Sequence, residues 1–314
     1  MLERRLDGRV AIVTGAGRGL GRSHALYLAA EGAAVVVNDL GGDVHGVGAD
    51  TTPAQRVVDE IVARGGQAVV SGHDVSDWSA AGELVRLAIE SFGQLDVLVN
   101  NAGILRDRSL ANMSEDEWDA VIRVHLKGHA APTHHALAHW RDRARAGEPV
   151  NASVIHTTSA AAFAGSFGQA NYAAAKMAVL ALSRTVSLEG SRHGVRSNAV
   201  SPSARTRITA GVDEPSGGQA ATPATGPVPF DDADPANVSP LVGWLAERDC
   251  PADAQIFHIS GDRLLVLAMP PIVHELRTSG RWTAAALDRE LRGRLVTPAS
   301  VAYYLGREPI FSGR

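Results

Sequence analysis

The sequence is short of cysteine: of its 314 residues only Cys250 carries a thiol, so no internal disulfide can form and no thiolate set exists for zinc or an iron–sulfur cluster. It is also short of long apolar runs. None approaches the roughly 18 residues of a membrane span, and the N-terminal segment MLERRLDGRVAIVTG has no apolar stretch of signal-peptide length. Nor is there an excess of basic charge. The formal net charge is −4 and the sequence pI about 6.3, without the basic stripe that a nucleic acid or an anionic membrane would require. These absences predict a soluble, unprocessed chain in a reducing, cytoplasmic setting, with neither a nucleic-acid nor a membrane partner. No internal repeat is visible. What is present is an ordinary globular composition, 45% apolar and 20% charged, in a chain long enough for one large domain with a sizeable core.

The first half alternates short β-branched runs with longer segments of helical spacing: VAIVTG at 10–15, AAVVVND at 33–39 and LDVLVNNAG at 95–103. Such alternation predicts a parallel sheet with crossover helices. The runs are continuously apolar rather than alternating, as expected of strands covered on both faces. With QAVVSG at 67–72, ASVIHTTS at 152–159, RSNAVSP at 196–202 and QIFHISGD at 255–262, the expectation is a doubly wound α/β fold of Rossmann type. Its parallel sheet would have seven strands in a single domain, 1–314. A stretch rich in Gly, Pro, Ala and Thr at 210–235 is too long for an ordinary connection. It is expected to be a flexible lid over the substrate, with a disordered linker as the alternative. Residues 263–314 are expected to form a C-terminal extension.

After the first run comes Thr14-Gly15-Ala16-Gly17-Arg18-Gly19-Leu20-Gly21, opening a helical segment through HALYLAAEG. A glycine turn at a helix N-terminus lets backbone N–H groups and the positive end of the helix dipole meet a pyrophosphate. Gly15, Arg18, Gly19, Leu20 and Gly21 are therefore cofactor-binding candidates. The second run ends in Asn38-Asp39, where a carboxylate can accept hydrogen bonds from the adenosine ribose hydroxyls and would repel a 2′-phosphate. Asp39 thus points to NAD rather than NADP. Arg18 dissents, since a guanidinium there could pair with that phosphate. Two further run ends, His73-Asp74-Val75 and Asn100-Asn101-Ala102-Gly103, fall at the sheet edge where cofactors lie. They add Asp74, Val75, Asn101, Ala102 and Gly103 to the candidates.

Tyr172 and Lys176 are four apart in NYAAAKMAVLALSRTVSLEG, a helical segment, so they share one face. Ser159 ends the preceding run. A phenol has an unperturbed pKa near 10. An ammonium one turn away is expected to favour the phenolate and move that pKa toward the working range, while a serine hydroxyl can hold a substrate oxygen beside the phenol. A Tyr–Lys pair at helical spacing is common on any helix surface, so the meaning lies in the full set. TGxxxGxG, NNAG, a Ser thirteen residues before a Tyr, and YxxxK, in that order, closely resemble the short-chain dehydrogenase/reductase family over essentially the whole chain. The resemblance implies an oxidoreductase that transfers a hydride from a secondary alcohol to NAD. Tyr172 would be the acid/base, Lys176 would also hold the nicotinamide ribose, Ser159 would orient the substrate and Asn101 would line the cofactor cleft. It further implies a homodimer or a homotetramer.

The chain departs from the family pattern at two places. Where most members carry Asn-x-x-Gly after NNAG, this sequence has His125-Leu126-Lys127-Gly128, so His125 is the candidate for passing a proton onward. Where the family has Pro-Gly followed by a carboxamide-binding Thr, it has SPSARTR at 201–207, and Thr206 is the corresponding candidate. VVVNDLGGDVHGVGAD, NNAGILRDRS, RVHLKG and FGQANYAAAK are similar to one branch of the family, the dehydrogenase units of peroxisomal multifunctional enzymes type 2, also called 17β-hydroxysteroid dehydrogenases type 4. That branch implies oxidation of a (3R)-3-hydroxyacyl-CoA to the 3-ketoacyl-CoA. A 17β-hydroxysteroid or a steroid side-chain CoA thioester is the alternative substrate, and a non-catalytic NAD-binding scaffold is the alternative of another class. The histidines at 125, 129, 134, 135 and 139 include i,i+4 pairs, but no carboxylate or cysteine completes a metal set. They are expected on a helix surface, and no metal is expected. Arg205, Arg207 and Arg263 are read as surface charges, with contact to a CoA phosphate as the alternative.

Overall fold

Each of the seven apolar runs becomes a strand: β1 (Val10–Thr14), β2 (Ala34–Asn38), β3 (Gln67–Ser71), β4 (Val97–Asn100), β5 (Ala152–Thr157), β6 (Val195–Ser203) and β7 (Ile256–Ser260). They pair in parallel in the order β3-β2-β1-β4-β5-β6-β7. The computed structural model describes residues 4–205, 230–270, 273–278, 280–295 and 304. Of the expected lid, only 230–235 falls among them; the rest, with Thr206 and Arg207, lies outside the described residues.

The helices are α1 (Gly19–Ala30), α2 (Thr52–Ala63), α3 (Trp78–Phe92), α4 (Glu115–Ile122), α5 (Gly128–Arg145), α6 (Ala160–Ala164), α7 (Ala170–Gly190), α8 (Ser239–Ala246) and α9 (Ala284–Leu291). Side chains alternate across each strand, and both sets are apolar. Ala11, Val13, Val35 and Val37 pack with Leu28 of α1, Ile61 of α2 and Leu245 of α8. Val10, Ile12, Val36 and Leu98 pack with Leu84 of α3, Trp140 of α5 and Val186 of α7. A sheet buried on both faces needs this double covering, which is why its strands read as unbroken apolar runs. Among the described residues no helix is long and apolar enough to cross a membrane.

One strand was not expected. β8 (Arg263–Leu267) pairs antiparallel with β7, with Ser260 opposite Arg263, so the sheet has eight strands and the start of the expected C-terminal extension belongs to it. The cause is local. Gly261 adopts φ +57, and Gly261-Asp262 forms the two-residue turn that a positive φ permits. Beyond it, the exposed Leu264 and Val266 alternate with partly covered neighbours, as in a strand that is half buried.

The chain runs β1, β2, β3 outward on one side, then crosses to β4 on the other side of β1. This reversal leaves a crevice beyond the C-terminal ends of β1 and β4, where open α/β sheets bind ligands.

Candidate active site

The crevice is framed by one hydroxyl. Thr14 Oγ1, at the end of β1, accepts the N–H groups of Asn101 (2.9 Å) and Ala102 (3.0 Å) and donates to the Val99 carbonyl (3.3 Å). Asn101 Nδ2 in turn donates to the carbonyls of Thr14 (2.9 Å) and Gly15 (3.3 Å). The asparagine thus braces the glycine loop as well as lining the cleft. A Cβ on Gly21 would stand 2.2 Å from the Gly15 carbonyl oxygen, so only glycine allows α1 to start this close to β1. α3 and α4 are capped by Asp77 and Ser114, but no side chain caps α1. Its first N–H groups and the positive end of its dipole face the cleft. An uncapped helix start behind a glycine turn fits the pyrophosphate of a dinucleotide.

Asp39 follows β2 and is 7% exposed. Its Oδ2 accepts the Gly17 N–H (2.8 Å) and its Oδ1 the Gly41 N–H (2.7 Å), which holds the carboxylate beside the glycine loop. Arg18 is exposed at the mouth, within electrostatic reach of Asp50. Asp74 Oδ1 accepts the backbone N–H (2.8 Å) and the hydroxyl (2.7 Å) of Ser76 and so shapes the turn that presents Val75. One continuous cleft is lined by Gly15, Arg18, Gly19, Leu20, Gly21, Asp39, Asp74, Val75, Asn101, Ala102 and Gly103, and it runs on to His125, Ser159, Tyr172 and Lys176. All the expected site residues are therefore brought together except Thr206, which lies outside the described residues.

At the far end, Ser159 is the N-cap of α6, its hydroxyl accepting the Ala161 N–H (3.2 Å), and it stands near enough to the Tyr172 phenol to favour its ionised form. Tyr172 stands in the first turn of α7, where the preceding Asn171 is fully buried. The Asn171 amide donates to the Arg106 and Glu117 carbonyls and its Oδ1 accepts the Tyr172 N–H. This anchor for the helix start was missed in the sequence, where it is only the residue before the tyrosine. Lys176 is 2% exposed; its Nζ donates to the Thr157 carbonyl (2.7 Å) and lies 5.7 Å from the Tyr172 ring centroid.

The electrostatics differ from the sequence expectation. Burial pushes the Tyr172 phenol above its usual value, the Ser159 hydroxyl opposes this, and Asp107 adds to it. Burial also lowers the Lys176 ammonium to about 7. Lys176 was expected to draw the phenol down, yet the desolvation of both groups dominates this pocket. A lysine with that pKa is only partly charged near neutrality.

The histidines are corrected too. His125 and His129 are buried, not on a helix surface. Between α4 and α5 the chain makes a π-turn at Arg123–Lys127, a feature frequent at functional sites, and this turn carries His125 inward. Its ring meets that of Tyr172 edge to face, with centroids 5.1 Å apart and planes at 89°. Its Nε2 lies 2.8 Å from the Ile104 carbonyl oxygen. Burial, reinforced by Lys176, lowers its pKa well below the usual value, so the ring is neutral. A Cβ on Gly103 would lie 2.5 Å from the His125 ring, which gives that glycine of NNAG a steric reason. His129 stacks on His156 of β5, with Nδ1 atoms 3.3 Å apart. Among the described residues, no group of three or more His, Cys, Asp or Glu side chains is placed to hold a metal. Arg205 forms a bidentate ion pair with Asp231 at 3.0 and 3.1 Å.

The chain is similar to known proteins along most of its length. The sequence profile of the short chain dehydrogenase family matches residues 9–215. The chain is 40% identical to the peroxisomal multifunctional enzyme type 2 of Mus musculus over 258 residues, covering 81% of this chain but 32% of that enzyme. It is 40% identical to the hydroxyacyl-CoA dehydrogenase ChsB1 of Mycobacterium tuberculosis over 312 residues, covering 97% of this chain and 91% of that one. A crystal structure of a short chain dehydrogenase from Mycobacterium avium superposes with a TM-score of 0.82 at 44% identity, covering 94% of this chain and 98% of the other.

Proposed function

The chain belongs to the short-chain dehydrogenase/reductase family, oxidoreductases that act on CH–OH groups with a nicotinamide cofactor, and from that premise we propose that it oxidises a (3R)-3-hydroxyacyl-CoA to the 3-ketoacyl-CoA with NAD. The observation that carries the reading is the single cleft joining the uncapped start of α1 and Asp39 to Ser159, Tyr172 and Lys176. The substrate class is supported by two relatives of comparable identity, one named for hydroxyacyl-CoA and one for peroxisomal multifunctional enzyme type 2.

In this reading a nicotinamide cofactor held along Gly15, Gly19, Asp39, Asn101 and Lys176 would supply the acceptor for the hydride leaving C3 of the substrate. Every other task falls to the protein. The Ser159 hydroxyl, which lines the same cleft as Tyr172, holds the substrate oxygen beside the phenol, which shortens the proton transfer to hydrogen-bond range. Tyr172 takes the hydroxyl proton. Lys176, fixed by the Thr157 carbonyl, presents its remaining N–H groups to the phenol and the nicotinamide ribose. His125, neutral and packed edge to face on the Tyr172 ring, is the neighbouring group that is the candidate to take the proton onward. Its Nδ1 is buried with no hydrogen-bond partner among the described residues.

Asp39 is the basis for choosing NAD over NADP. Asp39→Ala removes a charged acceptor for the ribose hydroxyls and frees the Gly17 and Gly41 N–H groups. Hydrogen bonds to charged groups are worth about 1.5–3 kcal/mol, so NADH affinity should fall about 10- to 100-fold while NADP(H) loses its repelling charge. Fluorescence titration with both reduced cofactors measures this. Equal affinity of the parent protein for NADH and NADPH would remove the argument. The substrate class is tested by following NADH formation from a (3R)-hydroxyacyl-CoA, a 17β-hydroxysteroid and a steroid side-chain CoA thioester. The first should lead in kcat/KM by about tenfold or more, the scale on which pockets separate substrates.

A further inference from the structure

The connection from β2 to α2 makes a detour. β2 borders β1, and β4 lies on the other side of β1, so a chain passing from β2 to the helix that follows has no need to approach β4. Residues 40–50 nevertheless do so. The N–H of Leu105, just beyond β4, donates to the Val44 carbonyl (2.9 Å), and the exposed His45 donates from Nδ1 to the Leu105 carbonyl (3.1 Å). The segment thereby crosses above the end of β1, where the glycine loop lies. Gly42, Asp43 and Gly46 line the same cleft as Gly15 and Gly21.

This crossing is built as a fixed shape. Asp43 Oδ1 accepts the N–H groups of His45 (2.8 Å) and Val47 (2.9 Å), and the Asp43 and Val47 backbones are bonded to each other. At the base, the Asp50 N–H donates to the Leu40 carbonyl (3.0 Å). Gly41 sits at φ +81, with room for no Cβ against the Asp50 carbonyl; Gly46 sits at φ +79, where a Cβ would press to 3.1 Å on Ile104. Asp39 ties the base to the cofactor loop, with one carboxylate oxygen on Gly41 and the other on Gly17. A carboxylate offers about four acceptor sites, so these two bonds leave capacity for ribose hydroxyls.

We propose that residues 42–47 form a strap over the pyrophosphate crevice, latched to Leu105 by Val44 and His45, and that the dinucleotide is held beneath it so that unlatching controls cofactor exchange. His45 is then a positioning residue for the cofactor. The inference rests on nicotinamide-cofactor binding alone and is independent of the alcohol substrate.

The test uses the full chain and NADH without substrate. Displacement of NADH in a stopped-flow fluorimeter gives its release rate for the parent, His45→Ala and His45→Asn. Because His45 is exposed, its replacement leaves the core intact. Loss of one hydrogen bond should speed release about fivefold in His45→Ala, and His45→Asn, which keeps an N–H donor, should recover part of the difference. In turnover assays KM for NAD rises with kcat/KM for the alcohol unchanged at saturating NAD. Hydrogen exchange supplies a second readout, since the Leu105 amide is itself part of the latch and should become more protected when NADH binds. Equal release rates in parent and His45→Ala, or Leu105 exchange unaffected by NADH, would overturn the proposal.

Discussion

Tyr172→Phe should lower kcat for alcohol oxidation by about 10²- to 10⁴-fold, the range typical of losing a positioned general acid/base, while NADH affinity stays near that of the parent. Phenylalanine keeps the ring that packs edge to face on His125 and removes only the phenol oxygen, so the fold and the cofactor crevice are untouched. The pH dependence follows from the direction of the Tyr172 shift. Burial raises the phenol pKa, and oxidation needs the phenolate. The parent's oxidation rate should therefore climb with pH through the alkaline range as the phenol ionises. Ketone reduction, which needs the phenol protonated, should fall over the same range. Tyr172→Phe should lose both slopes. A variant with unchanged kcat and an unchanged pH profile would remove Tyr172 from the chemistry.

Lys176→Met should cost about 10²-fold or more in kcat without costing stability at neutral pH. Burial lowers the Lys176 pKa from 10.5 to about 7. Each unit corresponds to about 1.4 kcal/mol, so retaining the charge penalises the folded state at low pH by on the order of 5 kcal/mol. Against this stands the hydrogen bond to Thr157, worth about 1.5–3 kcal/mol. Methionine fills the same space without a charge, so the variant should be at least as stable as the parent. Because the folded pKa lies below the unfolded one, the unfolded chain binds more protons between pH 7 and 10.5, and the parent gains stability as pH rises through that window. The variant should lack that gain. Denaturant unfolding at several pH values measures it. A variant several kcal/mol less stable, with activity retained, would contradict this reading of Lys176.

The sheet was legible because double burial leaves its mark on composition: the runs around Ile12, Val36 and Val99 are continuously apolar, and each is an inner strand of the sheet. The glycine loop and the Tyr172–Lys176 pair were legible because both depend on local spacing. What depends on distant partners was not. His125 and His129 share a helix face in the sequence, but which face turns inward is set by the π-turn and by contacts with Ile104 and His156. Asn100 and His156 meet only through the β4–β5 register. The sign of the Tyr172 shift also escaped, because spacing reports the neighbouring charge and says nothing of how deeply the pair is buried. The strap at 42–47 shows no periodicity at all, and its glycines acquire meaning only against Asp50 and Ile104.

In the proposed reaction Ser159, Tyr172 and the cofactor crevice would fix one face of a hydroxyacyl-CoA toward hydride transfer to NAD. The most direct measurement is kcat/KM for NADH formation with the (3R) and (3S) epimers of one 3-hydroxyacyl-CoA. The (3R) epimer should turn over, with the (3S) epimer slower by about two orders of magnitude or more, since its hydroxyl would leave the Ser159–Tyr172 pair unpartnered. Turnover of (3R) no faster than (3S) would contradict it.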